Sequence, residues 1–150
     1  MSRTLATVLF GASLIGAVVT ALPQSVETDT RFTTLDVYLE STEPLAAWQF
    51  ELREASGRMR VVGVENGETA AFGEAPYYDL AAVSQGTADR IIVADYSMRQ
   101  DVELPTGRNR LATIHMQIEG NAEPFYVLNL MAAGGANGEP IQATIDFDTP

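Results

Sequence analysis

The chain is 150 residues long and carries 20 carboxylates, nine arginines, no lysine and one histidine, for a formal net charge of −11. A field of that sign repels nucleic acid and anionic membrane surfaces, so nucleic acid is not an expected partner. With no cysteine in the sequence, a disulfide framework, a thiolate metal site and a lipoprotein anchor are all excluded.

Residues 1–21 differ in character from the rest. Ser2 and Arg3 form a short charged start, and Thr4 to Ala21 then runs without a charge through Gly11 and Gly16. Val19-Thr20-Ala21 supplies the small residues a signal peptidase requires, and Leu22-Pro23 stops any continuing helix. This predicts a secretory signal over 1–21, cleaved after Ala21. An uncleaved anchor is the alternative, because an apolar run of roughly 18 residues is the lower limit for a bilayer span. Membrane attachment follows only in that case. Either way the remainder works outside the cytoplasm, secreted or at the cell surface, and the absence of disulfides points to a bacterium.

Residues 22–150 make a single domain by size. They hold all 20 carboxylates against eight arginines, a net of −12 once Arg3 is set aside. Such acidity serves solubility outside the cell.

The hydrophobic period is two almost throughout. Leu35, Val37 and Leu39 share one face of a first strand, opposite Asp36, Tyr38 and Glu40, and Ser41-Thr42-Glu43-Pro44 turns the chain. A second strand sets Ala46, Trp48, Phe50 and Leu52 inward and Ala47, Gln49, Glu51 and Arg53 outward. It carries the only tryptophan, which places it at the centre of the core. Ala55-Ser56-Gly57 leads into a third strand over 59–64, ended by Asn66-Gly67. Over 68–86 the pattern weakens: Phe72 and Tyr77-Tyr78 suggest short strand pieces, and 79–83 a single helical turn. Residues 90–97 form a strand, Leu104-Pro105-Thr106-Gly107 suits a type I turn, and the next strand begins after Arg110. That strand sets Ala112, Ile114, Met116 and Ile118 against Leu111, Thr113, His115 and Gln117. Residues 124–130 and 141–147 complete the set, with an open glycine-rich loop over 134–138 between them. This succession predicts an all-β, two-sheet antiparallel β-sandwich.

Four phrases in this order carry a family resemblance: Leu45-Ala46-Ala47-Trp48-Gln49-Phe50-Glu51-Leu52, the run 61–67, Arg90-Ile91-Ile92-Val93-Ala94, and the run 111–118. Over residues 45–120 the chain resembles the cohesin-like secreted bacterial β-sandwiches. The resemblance implies a nine-stranded jelly roll, related in fold to carbohydrate-binding modules, that binds a dockerin through one sheet face. The chain departs from the pattern where Arg53-Glu54-Ala55 replaces the usual Tyr-Asp-Pro phrase, and where the leading strand is shortened or absent before Thr30. Ala47 and Gln49 occupy the outer face of the second strand, where dockerin-binding members carry polar contacts.

No catalytic constellation can be assembled, so the protein is expected not to be an enzyme. His115 has neither a second histidine nor a cysteine to complete a metal site or a nucleophilic pair, and is expected on a surface or second sheet. The carboxylates Asp95, Asp101 and Glu103 gather near one strand end, and Asp146 and Asp148 share a face. They read as solvated charge; no cofactor is expected, with calcium the sharper alternative. The expected function is a secreted interaction module binding an extracellular, dockerin-like protein through a sheet face. The alternative is a carbohydrate-binding module that stacks a polysaccharide on exposed tyrosines. The binding-face residues expected are Ala47, Gln49, Asp95, Tyr38 and Tyr96.

Overall fold

The computed structural model describes residues 29–150; the expected signal over 1–21 lies outside them. Seven strands are formed: β1 (Thr30–Ser41), β2 (Ala47–Glu54), β3 (Met59–Asn66), β4 (Arg90–Tyr96), β5 (Gly107–Glu119), β6 (Tyr126–Gly134) and β7 (Ala143–Asp148). They pair antiparallel into a four-stranded sheet, β3-β5-β1-β7, and a three-stranded sheet, β4-β2-β6. The all-β two-sheet expectation holds, with seven strands rather than nine among the described residues. Last in sequence, β7 pairs directly with β1, the first.

The core is what the alternation predicts. Leu35, Val37 and Leu39 of β1 and Ile114, Met116 and Ile118 of β5 face Trp48, Phe50 and Leu52 of β2, all buried. Trp48 stacks on Phe50 with ring centroids 5.6 Å apart and meets Phe72 edge-on at 5.9 Å. Truncating either large ring would cost about 3–5 kcal/mol through the cavity left behind.

Three bulges explain where the strand limits depart from the pattern. The partners Val37↔Ala112 and Tyr38↔Arg110 leave Leu111 as an extra residue in β5. Leu111 and Ala112 are consequently both buried, the period breaks, and the four residues before it continue the same strand instead of preceding it. Met131 is the extra residue in β6, which therefore runs to Gly134, and Val62 is the extra residue in β3.

The weakly patterned stretch resolves into short pieces. Residues Ala70–Phe72 form one turn of 3-10 helix rather than a strand, closing Phe72 over Trp48. The expected helical turn is α1 (Leu80–Ser84), started by Asp79, whose carboxylate accepts the Ala82 N–H at 2.9 Å. Tyr77 makes a one-residue bridge with Ala94 on β4.

Gly67 is required by proximity rather than by a special turn conformation. A Cβ there would come within 3.0 Å of the backbone carbonyls of Arg110 and Leu111, at the bulge of β5. Gly57, with φ of +69°, serves the β2–β3 turn in the ordinary way.

That turn is fastened by Glu54, whose side chain is fully buried. Its Oε2 accepts the backbone N–H groups of Ser56 at 2.9 Å and Arg58 at 3.0 Å, and its Oε1 accepts that of Phe125 at 3.3 Å. Burial alone would raise the carboxyl, but these donors outweigh it and hold it below the usual glutamate value. One carboxylate thus ties the β2–β3 turn to the entry of β6.

Candidate functional site

In the three-stranded sheet β2 is central, and period two sends Ala47, Gln49, Glu51 and Arg53 to the outer face. Their lateral neighbours follow from register. Ala47 lies between Tyr96 and Gly134, Gln49 between Ala94 and Ala132, and Glu51 between Ile92 and Asn129. Small residues therefore floor one end of the face. Gln49 stands at its middle, its Nε2 3.5 Å from the Met131 sulfur that the β6 bulge turns outward. At the other end Arg90 and Glu51 pair at 2.8 Å.

The bridge at Tyr77 widens this face beyond β4. The Tyr77 N–H donates to the Ala94 carbonyl at 2.8 Å, and the Tyr77 carbonyl accepts the Ala94 N–H at 3.0 Å. This sets the Tyr77 ring parallel to that of Tyr96, centroids 5.8 Å apart. Both rings stay open to solvent, 61% and 55% exposed. The Tyr96 hydroxyl, followed by the charges of Asp95 and Glu74, pushes the Tyr77 phenol above its ordinary value.

Asp95 stands at the end of β4 opposite Trp48, where the sandwich opens into a surface cleft of about 510 Å³. Glu74, Tyr77, Tyr96 and Met98 line the same cleft. The Asp95 Oδ1 accepts the Tyr96 N–H at 2.7 Å. Burial pushes the Asp95 carboxyl up; that N–H opposes the shift and the negative Glu74 adds to it.

Four of the five expected residues, Ala47, Gln49, Asp95 and Tyr96, are thus gathered on or beside one sheet. Tyr38 is not among them. It projects from β1 on the outer face of the opposite sheet, where the Arg108 guanidinium covers its ring at 3.6 Å from the centroid. Arg108 also binds Asp146 at 3.0 Å and Asp148 at 3.1 Å, and these two carboxylates raise its pKa further. Tyr38 and Tyr96 therefore cannot form one platform, and the tyrosine that joins Tyr96 is Tyr77. Its position in the sequence marks only a strand fragment, because its partner β4 lies more than a dozen residues downstream.

His115 is on the outer face of the four-stranded sheet, its Nε2 2.9 Å from Glu65 Oε1. The contact is a close approach of the two groups rather than an aligned hydrogen bond. Among the described residues no group of three or more His, Asp or Glu is placed to hold a metal ion.

No protein-family model and no curated relative matches this sequence. The three-dimensional comparison is informative: the chain superposes on a cohesin from a crystal structure of a cohesin–dockerin complex at pH 5.5, with a TM-score of 0.57. The chain has the cohesin fold. Sequence identity is 13%, over 77% of this chain and 83% of the other. The fold that the resemblance implied is therefore present, at an identity too low to carry residue roles across. Among the described residues no helix is long and apolar enough to cross a membrane.

Proposed function

We propose that this protein is an extracellular, non-enzymatic docking module that binds a protein of dockerin kind through the outer face of the β4-β2-β6 sheet. The observation that carries this is the continuity of that face. Ala47, Gln49, Ala94, Ala132 and Met131 form an uncharged surface that runs into the exposed Tyr77–Tyr96 pair. Exposed aromatic and Met side chains with few charges are the composition of the core of a protein-binding surface. The cohesin in the solved complex supports the same use of this fold. Residues 1–21 act as the secretory signal and 22–150 as the docking domain, in a bacterial cell-surface or secreted setting.

The test uses the secreted chain as bait on the native secretome, with the retained protein identified by mass spectrometry. Gln49→Arg places a charge at the middle of the face, and Ala47→Glu fills its small-residue floor. Each should weaken retention at least tenfold, equivalent to about 1.4 kcal/mol, while the melting temperature stays unchanged. Retention of the same protein by both variants at wild-type strength overturns the proposal.

The exposed Tyr77–Tyr96 pair supports a second reading, polysaccharide binding. Under it Tyr96→Ala abolishes polysaccharide pull-down and Tyr38→Ala does not, since Arg108 already covers that ring. Unchanged pull-down by Tyr96→Ala would remove this reading.

A further inference from the structure

We infer that the free edge of β6 pairs with β6 of a second copy of this chain, antiparallel across a two-fold axis, joining two three-stranded sheets into one of six strands. The pairing uses the edge of the sheet rather than its docking face, and it holds whatever that face binds.

Four strands form sheet edges among the described residues: β3, β4, β6 and β7. Three of them are guarded against pairing. β3 carries Arg60 and Glu65 and donates the Val61 N–H to the Ala88 carbonyl at 2.8 Å. β4 carries Arg90 and Asp95 and is bridged by Tyr77, while β7 is only six residues long and carries Asp146 and Asp148. β6 has the weakest guard. Its nine residues include no charge and no proline. Its edge away from β2 is held only at the far end, where Gly134 meets Pro140 and the Ala133 carbonyl accepts the Ile141 N–H at 3.1 Å. From Tyr126 to Ala132 that edge has no strand beside it among the described residues.

The side chains along this edge are core left half covered. Leu128 and Leu130 lie opposite the buried Leu52 and Phe50 and point the same way, yet both stay partly open to solvent. A groove of about 510 Å³ runs between β6 and β7, lined by Phe125, Tyr126, Leu128, Ile145 and Phe147. Phe125 is 70% exposed there. On the opposite side of the sandwich α1 packs on β3, and Ala88 is buried against the core.

The sequence of β6 is its own complement. A two-fold axis beside Asn129 sets Leu128 opposite Leu130 of the second copy, over the groove, and sets Val127 opposite the Met131 that the bulge turns outward. The two Asn129 side chains meet at the centre. Apolar groups therefore face apolar groups, and each copy supplies the backbone partners that the other lacks. A chain with a net charge of −11 repels its own copies, and an uncharged edge is where that repulsion is least. Because the axis stands perpendicular to the sheet, the dimer presents two docking faces side by side.

The test is sedimentation velocity on the secreted chain from about 1 to about 500 μM, with hydrogen exchange at both ends of that range. A monomer–dimer equilibrium with a dissociation constant of the order of 1–100 μM is expected. It should tighten between about 0.05 and about 0.5 M salt, since the contact is uncharged and salt screens the repulsion. Amides over 126–131 should gain protection as the dimer forms. Asn129→Lys sets two lysines face to face on the axis and should weaken dimerisation about tenfold or more, with the melting temperature unchanged. Thr42→Lys makes the same change of charge on an exposed turn and should leave the dimer intact. A chain that stays monomeric at the highest concentration overturns the inference. In such a monomer, protected amides over 126–131 would show its own chain covering the edge, and unprotected ones an edge open to a strand of another protein. A dimer that weakens with salt, or one equally tight in Asn129→Lys, overturns it as well.

Discussion

Replacing Glu54 with glutamine removes one charge and almost no volume, so its effect isolates what the carboxylate does. Three backbone N–H groups, of Ser56, Arg58 and Phe125, converge on the two oxygens of a fully buried side chain. The amide of glutamine keeps one acceptor oxygen and presents N–H groups to the remaining donors. At least one buried donor then loses its partner, at about 1–3 kcal/mol, and the surviving bonds lose their charge assistance. A total of about 2–3 kcal/mol follows, and for a domain of this size that lowers the melting temperature by about 8–12 °C.

The pH dependence supplies a second, independent readout. Because the folded carboxyl sits below its ordinary value, its stabilisation is complete above the unfolded glutamate pKa of about 4.3. It is lost as pH falls through the folded value. Thermal melts of the wild type and Glu54→Gln should therefore differ most at neutral pH and converge in acid. Glu43→Gln, on an exposed side chain with no hydrogen bond or ion pair, is the control and should stay within about 0.5 kcal/mol. A change of less than about 3 °C at pH 7, or a difference that does not narrow in acid, would refute the role assigned to Glu54.

Gly67→Ala should destabilise by about 1–3 kcal/mol, because the added Cβ meets the Arg110 and Leu111 carbonyls inside 3.0 Å; a wild-type denaturation midpoint would show that β5 can yield there. Asp95→Asn tests the partly buried carboxylate in the opposite sense. Burial raises Asp95, so folding disfavours its ionised form and stability declines as pH rises through the folded value. The variant should melt higher than wild type at pH 7, with the gain gone below about pH 4, and identical melts across that range would count against the assignment. Arg108→Gln should leave overall stability nearly intact while opening β7, since it breaks the ties to Asp146 and Asp148 and uncovers Tyr38. Hydrogen exchange over residues 143–148 should accelerate, and unaltered protection there would show that backbone pairing alone holds this edge.

The acidic balance and the docking face bear on each other. The face carries charge at one end, where Arg90 and Glu51 pair and Arg53 lies on the same side of β2, so the net negative charge is spread over other surfaces, Asp95 and Glu74 beside the cleft among them. Such an arrangement divides the work of binding. The uncharged part of the sheet supplies contact area, while a charged margin steers the approach and sets orientation.

Period-two alternation by itself determined the sandwich. It told inner from outer residues on β1, β2 and the second half of β5, and it placed Trp48, Phe50, Ile114 and Met116 in the core. Side-chain direction in a strand is a local property of the backbone, so it can be read from neighbours in sequence. Alternation also put Ala47 and Gln49 on the outer face, where they are. What it could not supply was which outer faces belong to the same sheet. Tyr38 and Tyr96 have equivalent local patterns yet lie on opposite sides of the sandwich, because β1 pairs with β5 and β7 while β4 pairs with β2. The bulges at Leu111, Met131 and Val62 were hidden for the same reason: an extra residue is defined only against a partner strand. Glu54 interrupts an expected phrase in the sequence, and only folding brings Phe125 to its carboxylate. The Tyr77–Tyr96 pair and the Asp95–Glu74 cleft likewise exist only in the tertiary structure, since their members meet through pairing between segments that are distant along the chain.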